Sequence, residues 1–151
     1  MSFTPTFTPH IVVSNAAAAI DFYKAAFGAV ETSRHVAPNS NKIMHASLNI
    51  NGGVLMMNDD FSDSAGGTRQ TPEALGGCPV TFHLDVPDAD AAWTRALAAG
   101  ATVKLPLANQ FWGSRYGMLK DPFGYHWSIS QTIATPTPAE MEEGAKAAFA
   151  H

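Results

Sequence analysis

The chain has 151 residues, 46% of them hydrophobic, and its nine Lys plus Arg against thirteen Asp plus Glu give a net charge of −4. That length and composition predict one domain with an ordinary packed core, and without a basic run the chain has nothing to neutralise a phosphate backbone, which argues against nucleic acid as a partner. Its one cysteine, Cys78, cannot close an intramolecular disulfide, no basic and apolar leader opens the sequence, and no eighteen apolar residues follow one another, so no membrane partner is expected and the cytoplasm fits best.

The first element in chain order is a strand in TPHIVVSN (8–15), followed by a helix in SNAAAAIDFYKAAFGAV (14–30). Asn15 supplies an N-cap oxygen, Ile20, Tyr23 and Phe27 make an apolar stripe at helical spacing, and Gly28 ends the helix in the left-handed region. Strands are expected over 30–36, 42–50 and 54–59, with Asn51-Gly52 turning the last two into a hairpin. A Gly-, Ser- and Thr-rich connector over 60–78 follows.

Seventy-three residues after the first strand the pattern returns as TFHLDVPD (81–88), with Thr81 in place of Thr8, His83 of His10 and Val86 of Val13. PDADAAWTRALAAGATV (87–103) repeats the helix, with Asp88 as N-cap, Trp93 at the place of Ile20, Leu97 on the stripe and Gly100 at the end. Strands are expected over 102–106, 114–120 and 125–130, the last two joined by DPFG (121–124), where Asp121 fixes the turn. Each half is therefore β-α-β-β-β, one over 7–59 and one over 79–131, within a single domain over 1–151. TPAE (137–140) reads as a capping box opening a last helix over 137–150, whose Met141, Ala145, Ala148 and Phe149 form a modest apolar stripe. That stripe is expected near the twofold interface of a homodimer.

Alternation along a strand assigns faces. Val80, Phe82, Leu84 and Val86 oppose Thr81, His83 and Asp85. Ile11 and Val13 oppose Thr8, His10 and Val12, and Met44, Ala46, Leu48 and Ile50 oppose His45, Ser47 and Asn49. The apolar rows meet the helices, and the polar rows face solvent or a cavity.

The paired modules, IDFYKAAFGA, MHASLNINGG, QFWGSRYGMLKDPFGYHWSIS (110–130) and TPAEMEEGAKAAFA together resemble the vicinal oxygen chelate superfamily. That superfamily includes glyoxalase I, bleomycin-resistance proteins and extradiol dioxygenases, and the chain is most similar to its PhnB-like branch. The resemblance implies an α+β fold in which two βαβββ modules curl their polar faces around an open, barrel-like cavity, often in a homodimer. Metal-dependent members take one His or Glu ligand from the first and last strand of each module. Matching on IDFY and DPFG carries those positions to Thr8, Met56, Thr81 and Ser128, none of which suits a first-row divalent ion. The expectation is a cavity with no metal or other cofactor, in which these four residues contact a ligand. His10, His83 and His126 each stand two residues from such a position, so a two-residue slip in register would bring them in.

Gln110, Trp112, Arg115 and Tyr116 gather amide, aromatic and cationic groups suited to an organic ligand with a polar end. Two functions fit. One is the binding of a small, partly apolar molecule, which is the preferred reading. The other is a lyase or isomerase of the glyoxalase type with His10, His45 or His83 as acid or base, since imidazole titrates near neutral pH.

Overall fold

The computed structural model describes residues 5–150, leaving residues 1–4 and 151 of the expected domain outside the description. Its first module contains β1 (His10–Val13), α1 (Ala16–Phe27), β2 (Val30–Val36), β3 (Ile43–Ile50) and β4 (Gly53–Asp59). Two one-turn helices, α2 (Ser62–Ala65) and α3 (Pro72–Leu75), interrupt the connector. The second module contains β5 (Thr81–Asp85), α4 (Ala89–Ala99), β6 (Thr102–Asn109), β7 (Ser114–Lys120) and β8 (His126–Thr132), and α5 (Pro138–Ala148) closes the chain. Each module makes a four-stranded mixed sheet, in the order β1-β4-β3-β2 and β5-β8-β7-β6, so this is the α+β architecture expected. The two sheets are separate and do not close into a barrel. No helix among the described residues is long and apolar enough to cross a membrane.

The same local chemistry builds both halves. The side chains of Asn15 and Asp88 accept from Ala18 N and Ala91 N, each at 3.1 Å, and so satisfy an orphan donor at each helix start. Asn51 and Gly52 both take positive φ, 50° and 85°, as a tight hairpin turn requires. The helix-facing rows are buried as alternation predicts: Ile11 and Val13 on β1, Ala46, Leu48 and Ile50 on β3, Leu55 and Met57 on β4, Leu84 on β5, and Trp127 and Ile129 on β8.

Met44 and Val80 depart from the expected rows, and Val80, just before β5, is 46% exposed. A shift in the β2–β3 register between His35 and Val36 leaves Met44 48% exposed and puts Ile43 into the core instead. The strand over 102–106 also runs further than expected, to Asn109.

The modules meet at their edge strands. Tyr125, just before β8, donates to Val12 O of β1 at 2.8 Å, and Asn51, just before β4, donates to Asp85 O of β5 at 2.7 Å. Helices α1 and α4 pack on each other behind the sheets, and Arg95 of α4 donates to Ala25 O and Lys24 O at the carbonyl end of α1. Asp121 locks this junction. Only 3% exposed, it accepts from Phe123 N, Tyr125 N and Trp127 Nε1 of its own module and from Tyr23 Oη of the other. Its role is wider than the turn expected of it, because the DPFG turn delivers it beneath α1. Burial pushes its carboxyl above the usual range against the pull of these donors, and burial likewise keeps Tyr23 protonated as the donor.

Helix α5 carries the expected capping box of Thr137 and Glu140 but has no buried residue. It rests on the β6–β7 turn where Gly144 meets Phe111, and Phe149 stays 74% exposed.

Candidate functional site

With both helices behind the sheets, the opposite faces of the two sheets are open, and strand register decides which side chains stand level there. His10 pairs with Met56 across the parallel β1–β4 ladder, and His83 pairs with Ser128 across β5–β8. Thr8 and Thr81, the positions carried over from the resemblance, lie two residues before His10 and His83. Thr8 precedes β1, and Thr81 stands level with His126. The four residues at corresponding levels on the open face are therefore His10, Met56, His83 and Ser128.

In the second module these residues form an aromatic and hydrogen-bonded wall. His83 Nδ1 lies 2.7 Å from Ser128 Oγ, and Nε2 lies 3.1 Å from Asp85 Oδ1, so both ring nitrogens are engaged. Ser128 is only 2% exposed beneath it, too buried to attack a substrate. The His83 ring stacks with Tyr116 at 6.2 Å between centroids, and Trp112 meets Tyr116 edge to face at 5.5 Å. Trp112 stands in the Gln110–Gly113 turn between β6 and β7, closed by Gly113 N donating to Gln110 O, and is 37% exposed. The structure thus joins Trp112, Tyr116, His83 and Ser128, with Gln110 at the turn and Thr81 one pair along β5.

Arg115 is not part of this group. Next to Tyr116 on β7, it points to the helix side, where its Nε and Nη2 atoms donate to both Asp90 carboxylate oxygens of α4 at 3.0 and 2.9 Å, and Nη1 donates to Asn109. Alternation explains the correction: Arg115 shares its face with Gly117, over which Trp93 of α4 lies. The pair holds the Asp90 carboxyl below the usual range and Arg115 above it.

The open face of the first module carries a row of imidazoles. His10 Nε2 lies 2.7 Å from Asn58 Oδ1. The rings of His10 on β1 and His45 on β3 are 5.6 Å apart, and His35 on β2, paired with His45, has its ring 6.2 Å from that of His45. His35 lies in no motif of the sequence. The β2–β3 hairpin that pairs it with His45 is the signal that could have found it. Met56 lies on the same face, while Met57 is fully buried on the other. His126, at the second module's end of the surface, has an Nδ1 that is buried without a partner. Burial, then Lys104 and Lys120, pushes its imidazole down. Burial also pushes the Tyr125 phenol up to about 12, so it serves as a donor.

A divalent cation of the kind the resemblance implies would meet two imidazoles at these levels, His10 and His83, but a thioether and a buried hydroxyl where carboxylates are wanted. Both nitrogens of His83 already have partners, and no three His, Cys, Asp or Glu among the described residues are placed to hold a metal ion. The residues present do not fit that group.

The family model of the Glyoxalase/Bleomycin resistance protein/Dioxygenase superfamily matches residues 6–129. The uncharacterized protein Rv0887c of Mycobacterium tuberculosis is 54% identical over 138 residues, covering 91% of this chain and 81% of the relative. The uncharacterized protein At5g48480 of Arabidopsis thaliana is 32% identical over 131 residues, 82% of this chain and 76% of the relative. Its X-ray structure superposes with a TM-score of 0.66 at 31% identity, covering 85% of this chain and 99% of that one. A Bacillus cereus PhnB protein, described as a putative 3-demethylubiquinone-9 3-methyltransferase, shares the fold at 18% identity and a TM-score of 0.65, covering 84% and 99% of the two chains.

Proposed function

The chain belongs to the Glyoxalase/Bleomycin resistance protein/Dioxygenase superfamily, and from that premise we propose that it binds a small, partly apolar organic molecule on the open face shared by its two modules. The observation that carries this reading is the run Trp112–Tyr116–His83, three rings in successive contact beside a buried serine on a face no helix covers. Flat rings held by one another give a planar ligand a preorganised surface at little entropic cost.

The test is titration with the neutral fluorophore N-phenyl-1-naphthylamine. Saturable binding is expected, and Trp112→Ala should raise the dissociation constant about tenfold with the melting temperature unchanged. No saturable binding, or equal binding by the variant, would overturn the reading.

A lyase or isomerase reading rests on a different observation. His83 has no nitrogen free for proton transfer, whereas His45 makes no hydrogen bond with a protein group among the described residues, and His10 engages only Nε2. An acid–base reaction on this face would therefore use His10 or His45. It predicts exchange of a carbon-bound hydrogen of the substrate with solvent deuterium that is lost in His45→Gln.

A further inference from the structure

The two walls of the open face differ in how their cationic groups are balanced. In the second module His83 lies against Asp85, and Arg115, behind the sheet, against Asp90. In the first module His10, His45 and His35 form a row across three strands, and among the described residues none of the three has a carboxylate within 4.0 Å; His83 alone has one. The nearest charged groups on the same strands face away. Glu31 and Arg34 of β2 pair with each other, and Glu31 also pairs with Lys24 of α1 on the helix side. Asp59 of β4 is buried, accepting from Ala16 N and Ile43 N, and Lys42, just before β3, donates to Asp60 O. Met56 and Asn58 of β4 add no charge to this face. An imidazole that takes up a proton here has no carboxylate counter-ion within 4.0 Å among the described residues.

We infer that the row formed by His10, His45 and His35 is an anion subsite, and that the ligand is a planar aromatic molecule bearing an acidic group, its ring on the Trp112–Tyr116 wall and its charged oxygens on the imidazoles. This deepens the binding function proposed above and rests on it. The row suits oxygens better than a metal ion. His45 stands between the other two, with ring separations of 5.6 and 6.2 Å on either side, so the three rings follow the sheet rather than converge on a point. Each ring can donate to a different oxygen, or to neighbouring oxygens of one sulfonate, carboxylate or phosphate. Asn58 Oδ1 accepts from His10 Nε2, so His10 offers a second donor, at Nδ1, to an anion when the ring is protonated.

The experiment compares two probes with the same ring system at about pH 6, where free imidazole is substantially protonated. N-phenyl-1-naphthylamine is neutral, and 8-anilinonaphthalene-1-sulfonate adds one sulfonate. The full chain is expected to bind the sulfonate about tenfold more tightly than the neutral probe, and His45→Gln and His10→Gln should each reduce that ratio severalfold. Arg115→Ala, which removes a cation on the other side of the sheet, should leave the ratio unchanged. Equal affinity for the two probes in the wild type, or a ratio that His45→Gln does not alter, overturns the anion subsite. In either case Trp112-dependent binding of the neutral probe would still stand for the binding function. Failure of both probes to bind overturns both.

Discussion

The two modules carry one backbone plan with different chemistry attached. In the first, Asp59 accepts from Ala16 N at the start of α1. In the second, Gln131 accepts from Ala89 N at the matching point of α4. The first places Ala46 opposite Met57, and the second places Gly117 opposite Ile129. The reason lies one layer up, where the first helix carries Ile20 and the second Trp93. A Cβ on Gly117 would lie 2.6 Å from the Trp93 ring and 2.9 Å from Leu107 Cα. Volume gained on the helix was given back on the strand. The two modules thus share their hydrogen-bonding skeleton, and at this contact a larger helix residue faces a smaller strand residue. The open faces are under no such packing constraint, and there one module has become aromatic and the other imidazole-rich.

The largest effect should come from the residue that joins the modules. Asp121→Ala leaves two buried backbone N–H groups, an indole and a phenol without an acceptor, and is expected to cost about 4 kcal/mol, lowering the melting temperature by on the order of 10 °C. Calorimetry checks it. A change under about 1 kcal/mol would mean that the junction is held by packing alone. Because burial raises this carboxyl, its contribution is complete below the ordinary aspartate pKa and is lost as pH rises through the raised folded value. The melting-temperature gap between wild type and Asp121→Asn should therefore narrow as pH rises from about 4 through the raised folded value.

Gly117→Ala sharpens the volume argument. It should destabilise by about 3 kcal/mol, and Trp93→Ile in the same chain should recover much of the loss by restoring the first module's pairing. Without recovery, the compensation between helix and strand is not what holds this site together. Asp59→Ala against Gln131→Ala then measures the skeleton. The first strands two buried donors, Ala16 N and Ile43 N, and should cost about 2 kcal/mol, while the second strands one and should cost about 1 kcal/mol. Equal costs would show that charge and donor number do not separate the two modules. The smallest effect belongs to Arg115→Ala. On the helix side in an exposed pair, it should change the melting temperature least of these variants and leave binding of the naphthylamine probes unaltered. Weakened binding would return Arg115 to the ligand site.

The repeat, both helix caps, the Asn51-Gly52 turn and the helix-facing rows could all be read from residue order. Each depends on neighbours a few positions apart: a cap oxygen reaches three residues ahead, a turn closes in four, and strand faces alternate every residue. The same periodicity put His10, His45 and His83 on the open face. It could not show which residues stand level across parallel β1 and β4, or β5 and β8. Those strands are joined through a helix and two further strands, and their relative slide is fixed by how α1 and α4 seat on the sheets. Only the folded chain shows that His10 stands level with Met56 and His83 with Ser128.

Arg115 and Asp121 show the same division. Alternation from Tyr116 already implied that Arg115 and Tyr116 face opposite ways, but only the packed position of α4 supplied Asp90 as the partner of Arg115. DPFG announces a turn, but the meeting of the two modules brings Tyr23 to Asp121, ninety-eight residues away in sequence. Local order determined the elements and their faces because those follow from covalent geometry and short-range hydrogen bonds. Tertiary structure decided register, counter-ions and the three-strand row of His10, His45 and His35, because each depends on where separately formed layers come to rest on one another.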